Sequence, residues 1–209
     1  CGSDMVSSVG PGLVWSDDSK YIFFLATDGA RTKIFRVNTG CDPVVEPLTD
    51  NADQVIYGMS YSSEQNRFAV AITSPLNIGD IHYFDTGSQP VQLTQHNAQL
   101  LNQIELTTPE AFTCESDGMT IEGWVMKPVG FKPGEKYPAI LEIHGGPHSA
   151  YGYTFMHEFH LLCAAGYAVI FNNPHGSQGY GQEFVTKTHH DWGGADYRAV
   201  MAAVDQVSK

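Results

Sequence analysis

Basic residues are scarce in this chain: 11 Lys and Arg stand against 23 Asp and Glu, a formal net charge of -12. No run of Lys or Arg occurs anywhere. Nucleic acid or an anionic membrane would have to bind against that field without a clustered basic patch, so neither is expected as a partner. Long apolar runs are also missing; the longest are strand-sized, too short to span a bilayer. Cysteine is sparse and scattered, at Cys1, Cys41, Cys114 and Cys163, with no C-x-x-C. That removes zinc knuckles and thioredoxin-type motifs, and leaves reduced thiols in core or loop as the expectation. No signal peptide is visible, and the expected compartment is cytoplasmic, with periplasmic or secreted as the alternative. Cys1-Gly2-Ser3-Asp4 allows the start of a processed lipoprotein, but a cloning remnant or an internal fragment boundary is the expected reading. Charged residues make up only 16% and hydrophobic residues 42%, so the chain can build a core and is not a disordered polyelectrolyte. Gly (21) and Pro (11) are plentiful, which favours β-rich or α/β architecture over a helical bundle.

The first part of the chain repeats. LVWSDDSKYIFFLAT from Leu13, KIFRVNTG from Lys33 and PLTD from Pro47 are answered by GMSYSSEQNRFAVAIT from Gly58, IHYFDTG from Ile81 and QLTQ from Gln92. Trp15-Ser16 aligns with Tyr61-Ser62, Asn38-Thr39-Gly40 with Asp85-Thr86-Gly87, and Leu48-Thr49 with Leu93-Thr94. The period is roughly 46 residues, in the range of propeller blades. Tyr21 to Leu25 and Phe68 to Ile72 read as aromatic or β-branched strands between polar turns. Each unit reads as a small antiparallel sheet whose faces need neighbours, so blades of an incomplete ring are expected over residues 1–107. A pair of similar meanders in an ordinary sandwich is the plainer alternative. Asp80 and Asp85 read as ordinary turn residues.

Around residue 108 the pattern changes. Thr113 to Ser116, the turn Asp117-Gly118, and Thr120 to Met126 predict a hairpin. Ala139 to Ile143 reads as a buried strand that stops at His144-Gly145-Gly146-Pro147, a backbone shaped for close approach. A helix is expected from about Tyr153 to Ala165, with Phe155, Phe159, Leu162 and Cys163 on one face and Gly166 as its C-terminal cap. Tyr167 to Phe171 is a second buried strand. A Gly-rich loop follows, and a last helix over about Ala195 to Val207 places Tyr197, Val200, Met201 and Val204 on one face. Strand, helix, strand, helix predicts a parallel sheet covered on both sides.

Several chemical candidates weaken on inspection. His157-Glu158-Phe159-His160 lacks the i, i+4 spacing of H-E-x-x-H, and both imidazoles are expected on a solvated face. Gly176, Gly179 and Gly181 do not form G-x-G-x-x-G. His189-His190-Asp191-Trp192 is better placed to cap the last helix than to ligate. No metal site and no cofactor is expected.

Four motifs in order carry a resemblance: IEGWVMKP from Ile121, YPAILEIHGGPHS from Tyr137, GYAVIFNNPHGSQGYGQEF from Gly166 and DWGGADYRAVMAAVD from Asp191. Together they resemble the first half of the catalytic domain of the prolyl oligopeptidase family of serine peptidases, in its acylaminoacyl-peptidase and dipeptidyl-peptidase-like branch. The resemblance implies β-propeller blades (1–107) followed by a partial α/β-hydrolase domain with a parallel sheet and flanking helices (108–209). It implies that His144, Gly145, Gly146 and Pro147 form the oxyanion hole and substrate wall, with a backbone donor near Gly146, since glycines there let the main chain approach the reacting carbonyl. No member of the catalytic triad is expected among these residues. Ser177 lacks the G-x-S-x-G context, because His175 stands where the first Gly belongs, and the family's serine, acid and His are implied beyond Lys209. His175 also replaces the family's usual Arg. The implied function is cleavage of short peptides by acyl transfer, with the chain inactive alone. The implied partners are a peptide substrate and the remaining segment of the hydrolase domain. The alternative is a non-catalytic propeller-type binding module.

Overall fold

The computed structural model describes residues 12–50 and 52–208; Cys1, the Cys1-Gly2-Ser3-Asp4 start and Lys209 lie outside them. The chain divides into two compact units, one holding 12–101 together with Gly152–Phe155, the other Asn102–Tyr151 and 156–208.

The first unit is two successive antiparallel meanders. Strands β1 (Val14–Trp15), β2 (Tyr21–Asp28), β3 (Arg31–Asn38) and β4 (Val45–Pro47) form one; β5 (Val55–Ser62), β6 (Arg67–Ser74), β7 (Asn77–Asp85) and β8 (Val91–Gln92) form the other, and a short helix, α1 (Ala98–Leu101), follows. The meanders are joined by a single parallel bridge, Thr32 opposite Val55. The turns fall where the polar clusters stand, with Ser19 and Asn66 at positive φ.

The sequence repeat is a repeat of hydrogen bonds. Ile34 receives the Leu48 N–H on its carbonyl and donates its own N–H to the Thr49 hydroxyl; Ile81 does the same with Leu93 and Thr94. The Leu-Thr pair thus latches the outer edge of each meander to its third strand. The core lies between the meanders: Phe23 meets Phe68 edge-on at 5.0 Å, and Phe68 stacks on Phe84 at 4.9 Å. Ile34, Ile56, Met59, Val70 and Ile72 complete it. Fully burying each such side chain is worth about 1.5–3 kcal/mol, which explains why neither meander stands alone.

The second unit is built on a sheet of four strands in the order β11-β12-β10-β9. Strands β9 (Glu110–Ser116) and β10 (Met119–Met126) form the expected hairpin, with Asp117 and Gly118 both at positive φ as a tight primed turn requires. Strand β11 (Ala139–Glu142) pairs parallel with β12 (Ala168–Asn172), while β12 runs antiparallel to β10. The sheet is therefore mixed, not parallel throughout, because the hairpin reverses direction before the first crossover. Strand β11 lies at the sheet edge and is only half-buried, not the buried strand its apolar run suggests.

Three helices complete this unit: α2 (His157–Ala164), α3 (Gln182–Thr186) and α4 (Ala195–Val207). Phe171 packs on Phe159 of α2, while Asn172 donates from Nδ2 to the Ala199 carbonyl of α4. Consecutive strand residues face opposite ways, so α2 and α4 cover opposite faces of the sheet. Helix α2 starts four residues later than its periodicity predicts. The Tyr153 N–H donates to the Ala30 carbonyl and the Phe155 N–H to the Thr73 hydroxyl, so these residues join the first unit instead of the helix. The helix ends as expected: Gly166 has φ of 92°, its N–H reaches the Cys163 carbonyl, and the Tyr167 N–H reaches Leu162, a Schellman cap. His160 is buried, correcting the expectation of a solvated face; only His157 is exposed. Helix α4 turns Ala195, Ala199, Val200 and Ala203 inward and leaves Tyr197 exposed, because alanines let the helix approach the sheet closely.

Candidate active site

The loop after β11, the third strand of its sheet, carries the four residues singled out in the sequence. Gly145 and Gly146 are exposed, and His144 and Pro147 half-buried. All four line an open cavity of about 260 Å³, together with Ile143, Pro174, His175, Trp192 and, from α4, Tyr197. Gly146 has φ of 130°, and a Cβ there would lie 3.0 Å from the Ser149 nitrogen, so this position requires glycine. Gly145 faces open space. Among the described residues, neither the Gly145 nor the Gly146 N–H has a hydrogen-bond acceptor.

The His144 ring orients these amides. Its Nδ1 lies 3.1 Å from the Gly145 carbonyl oxygen and its Nε2 lies 2.9 Å from the Ser177 hydroxyl. With the proton on Nδ1, the ring donates to Gly145, and the single Ser177 hydrogen is shared between Nε2 and the Pro174 carbonyl 2.7 Å away. The other tautomer would set a bare Nδ1 lone pair against a carbonyl oxygen. Burial pushes the imidazole below its ordinary pKa, which favours this neutral form. A trans peptide points its C=O and N–H in opposite directions, so holding the Gly145 carbonyl aims the Gly146 N–H away from the ring.

Ser177 in contact with an imidazole has the outline of a nucleophile and base, but its surroundings deny that role. Its side chain is fully buried, its oxygen also lies 2.7 Å from the Pro174 carbonyl, and the other nitrogen of His144 faces a carbonyl rather than a carboxylate. A substrate carbonyl has no approach to it.

The loop that carries Ser177 holds the glycine loop at further points. His148 Nδ1 donates to the Gly176 carbonyl at 3.0 Å, the Gln178 N–H donates to the Ser149 carbonyl at 2.9 Å, and Asn173 pairs with Tyr151. A Cβ on Gly176 would meet Thr188 at 2.9 Å and Pro147 at 3.3 Å, so its glycine permits the close packing of the two loops. His175 is 1% exposed; its Nε2 donates to the Ser116 carbonyl at 3.2 Å and it packs against Phe184. Burial pushes its pKa down, with Asp117 nearby offsetting part of that. Its Nδ1 has no partner among the described residues. Asp191 accepts the Ala195 N–H at the start of α4, the capping role expected of that stretch. No group of three or more metal-ligating side chains is gathered among the described residues. The sequence marked both loops, but not that Asn173, His148 and Ser177 serve as the ties between them. Those contacts join residues 22 to 33 positions apart, and no local spacing rule reports them.

Residues 153–209 match the prolyl oligopeptidase family. That match lies in the C-terminal part of the chain. It is 35% identical over 209 residues to the uncharacterized peptidase YuxL of Bacillus subtilis, covering 100% of this chain and 31% of that protein. It is 30% identical over 208 residues to dipeptidyl-peptidase 5 of Porphyromonas gingivalis, covering 94% of this chain and 29% of that protein. The chain thus spans under a third of these curated relatives. Its fold is similar to that of an acylaminoacyl peptidase solved in complex with Z-Gly-Gly-Phe-chloromethyl ketone, with a TM-score of 0.81 at 23% identity, over 90% of this chain and 29% of that one. The coarse fold, mixed sheets with few helices, is that of these peptidases.

Proposed function

We propose that this chain supplies the oxyanion-binding part of a serine peptidase that cleaves short peptides by acyl transfer. The observation that carries the proposal is the pair of unbonded, exposed amides at Gly145 and Gly146, beside a cavity at the end of the third strand. In this reading residues 1–107 are propeller blades of an incomplete ring and 108–209 are the first half of an α/β-hydrolase domain. The repeated Ile-Leu-Thr latches and the order of strands and helices support that division. The nucleophile, its general base and the orienting carboxylate come from a further polypeptide segment, which also seats against the edge of β11.

The chemistry then divides between segments. A serine oxygen from the further segment attacks the peptide carbonyl carbon as a histidine takes its proton. The carbonyl electron pair moves onto oxygen, and the Gly146 N–H receives that charge. Collapse of the intermediate expels the amine, which takes the proton from the histidine, and water repeats the sequence on the acyl-enzyme. A donor of this kind is worth about 2.7–4 kcal/mol in the transition state.

The test is active-site labelling. The chain alone should resist a fluorophosphonate and show no burst with an activated ester. Supplied with a segment bearing G-x-S-x-G, labelling and hydrolysis should appear on that serine. Label on Ser177 would overturn the assignment of the loop, and an unlabelled completed protein would overturn the catalytic reading.

A further inference from the structure

We propose that Asn173 is a positioning residue for the glycine loop, acting through a polar relay that begins at Glu122. This rests on the reading of Gly145 and Gly146 as oxyanion donors, but the relay itself is geometric. Asn173 is fully buried. Its side-chain amide pairs with the backbone of Tyr151 as a neighbouring strand would: Oδ1 accepts the Tyr151 N–H at 2.7 Å, and Nδ2 donates to the Tyr151 carbonyl at 2.9 Å. That anchors the downstream end of the loop which starts at His144. Nδ2 also donates to the Tyr180 hydroxyl at 2.8 Å, and that hydroxyl donates to Glu122 at 2.6 Å.

The polarity of the relay is fixed from one end. A carboxylate can only accept, so the Tyr180 hydrogen points to Glu122 and its lone pair is left for an N–H donor. Only Nδ2 can fill that position, which directs Oδ1 to the Tyr151 N–H. The Asn173 N–H also donates to the Glu122 carbonyl, so one residue of β10 holds both the backbone and, through Tyr180, the side chain. Gly145 and Gly146 therefore lie between two fixed points, the His144 contact with Ser177 upstream and the Tyr151 pair downstream.

The test exploits an isostere whose hydrogen bonding depends on pH. In Asn173→Asp, one carboxyl oxygen replaces Nδ2 and faces the Tyr151 carbonyl and the Tyr180 oxygen. Ionised, it repels the Tyr151 carbonyl and competes with Glu122 for the single Tyr180 hydrogen; protonated, it donates to one of the two oxygens and restores the pair. The ionisable groups facing it are Glu122, Tyr180 and His144, none of them a buried cation, so burial raises its pKa. The readout is the set of 13Cα and carbonyl resonances of Gly145 and Gly146 in the isotope-labelled chain, at about pH 5 and about pH 7.5. The unsubstituted chain at the same two pH values removes the contribution of His144 titration. Asn173→Asp should give unsubstituted shifts at the lower pH and displaced, broadened signals at the higher. Asn173→Ala should be displaced at both. Tyr180→Phe, which keeps the ring packing, should give a smaller displacement that does not vary with pH. Glycine resonances unchanged in all three variants, or displaced in Asn173→Asp equally at both pH values, would overturn the proposal. The expected shifts in a protein that never labels with fluorophosphonate would keep the relay and remove only the peptidase reading.

Discussion

Asp80 offers the sharpest test of how the repeated meanders are held together. It is not the ordinary turn residue its sequence context suggests, since it lies in β7 and is 5% exposed. Its Oδ1 accepts from the Thr94 hydroxyl at 2.7 Å and the His96 N–H at 3.2 Å. Its Oδ2 accepts from the side-chain amides of Gln92 at 3.0 Å and Asn77 at 3.1 Å. Replacing it by Asn keeps the shape and one acceptor oxygen, but sets an NH₂ group against two donors. Hydrogen bonds to a charged group contribute about 1.5–3 kcal/mol each. Two are lost, but Gln92 is exposed and can turn to water, so the net cost of Asp80→Asn should be about 2–4 kcal/mol. Asn77 cannot turn freely, because its Oδ1 accepts the Gly79 N–H. Burial alone would raise the Asp80 pKa; the four donors outweigh it and hold the carboxyl below its ordinary value. A depressed folded pKa gives stability that is complete above the unfolded value and is lost as pH falls through the folded one. Urea unfolding near neutral pH should therefore show the full loss, and the gap between the variant and the parent should close in acid. A variant within about 0.5 kcal/mol of the parent near neutrality, the range of an ordinary surface change, would refute the reasoning.

Three further outcomes are expected. Gly146→Ala should cost about 1–3 kcal/mol from its positive φ, seen as a lower unfolding midpoint or as new proteolytic cleavage within 144–151. Ser177→Ala should cost about 1–3 kcal/mol by leaving the His144 ring without its buried partner, and in a completed protein it should leave fluorophosphonate labelling intact. His175 is held neutral, its folded pKa lowered by burial, so its contribution is complete above the unfolded histidine value of about 6.5 and declines as pH falls below it. His175→Gln should flatten that decline between about pH 7.5 and about pH 5.5, read from urea midpoints; an unchanged slope would assign the acid sensitivity elsewhere.

What the sequence made legible was local. The repeat was visible because Leu48-Thr49 and Leu93-Thr94 close the same pair of hydrogen bonds at a fixed period. Asp117-Gly118 announced its turn because both residues tolerate positive φ. The expected and observed limits of α4 agree, since Gly193-Gly194 and Asp191 mark its start. What stayed hidden was non-local. Helix α2 starts late because Tyr153 and Phe155 find partners more than 80 residues earlier, at Ala30 and Thr73. Asp80 draws its donors from positions 77 to 96, no two of which form a motif. The buried face of α4 was misjudged because periodicity weighs residues by hydrophobic size, whereas the sheet selected Ala195, Ala199 and Ala203 for close approach.

The glycine loop was marked by its residues, yet the donor role proposed for it depends on a second loop that spacing could not connect to it. The connection is topological. Strand β11 crosses over through α2 to lie parallel to β12, so the carboxyl ends of both strands emerge side by side at one edge of the sheet. Ligands in open α/β sheets bind outside those carboxyl ends, because that is where loops from adjacent strands can converge. Here the loop after β11 brings unpaired amides, and the loop after β12 brings the groups that hold that loop: the Asn173 and Ser177 side chains and the Gly176 carbonyl. Preorganised donors stabilise a developing charge because they need not reorient when it forms. Bare glycine amides would be mobile by themselves, and the ties from the second loop convert them into fixed dipoles. The spacing between the His-Gly-Gly-Pro and Asn-Pro-His-Gly-Ser motifs is thus the length of one crossover, and the two motifs form a single physical device.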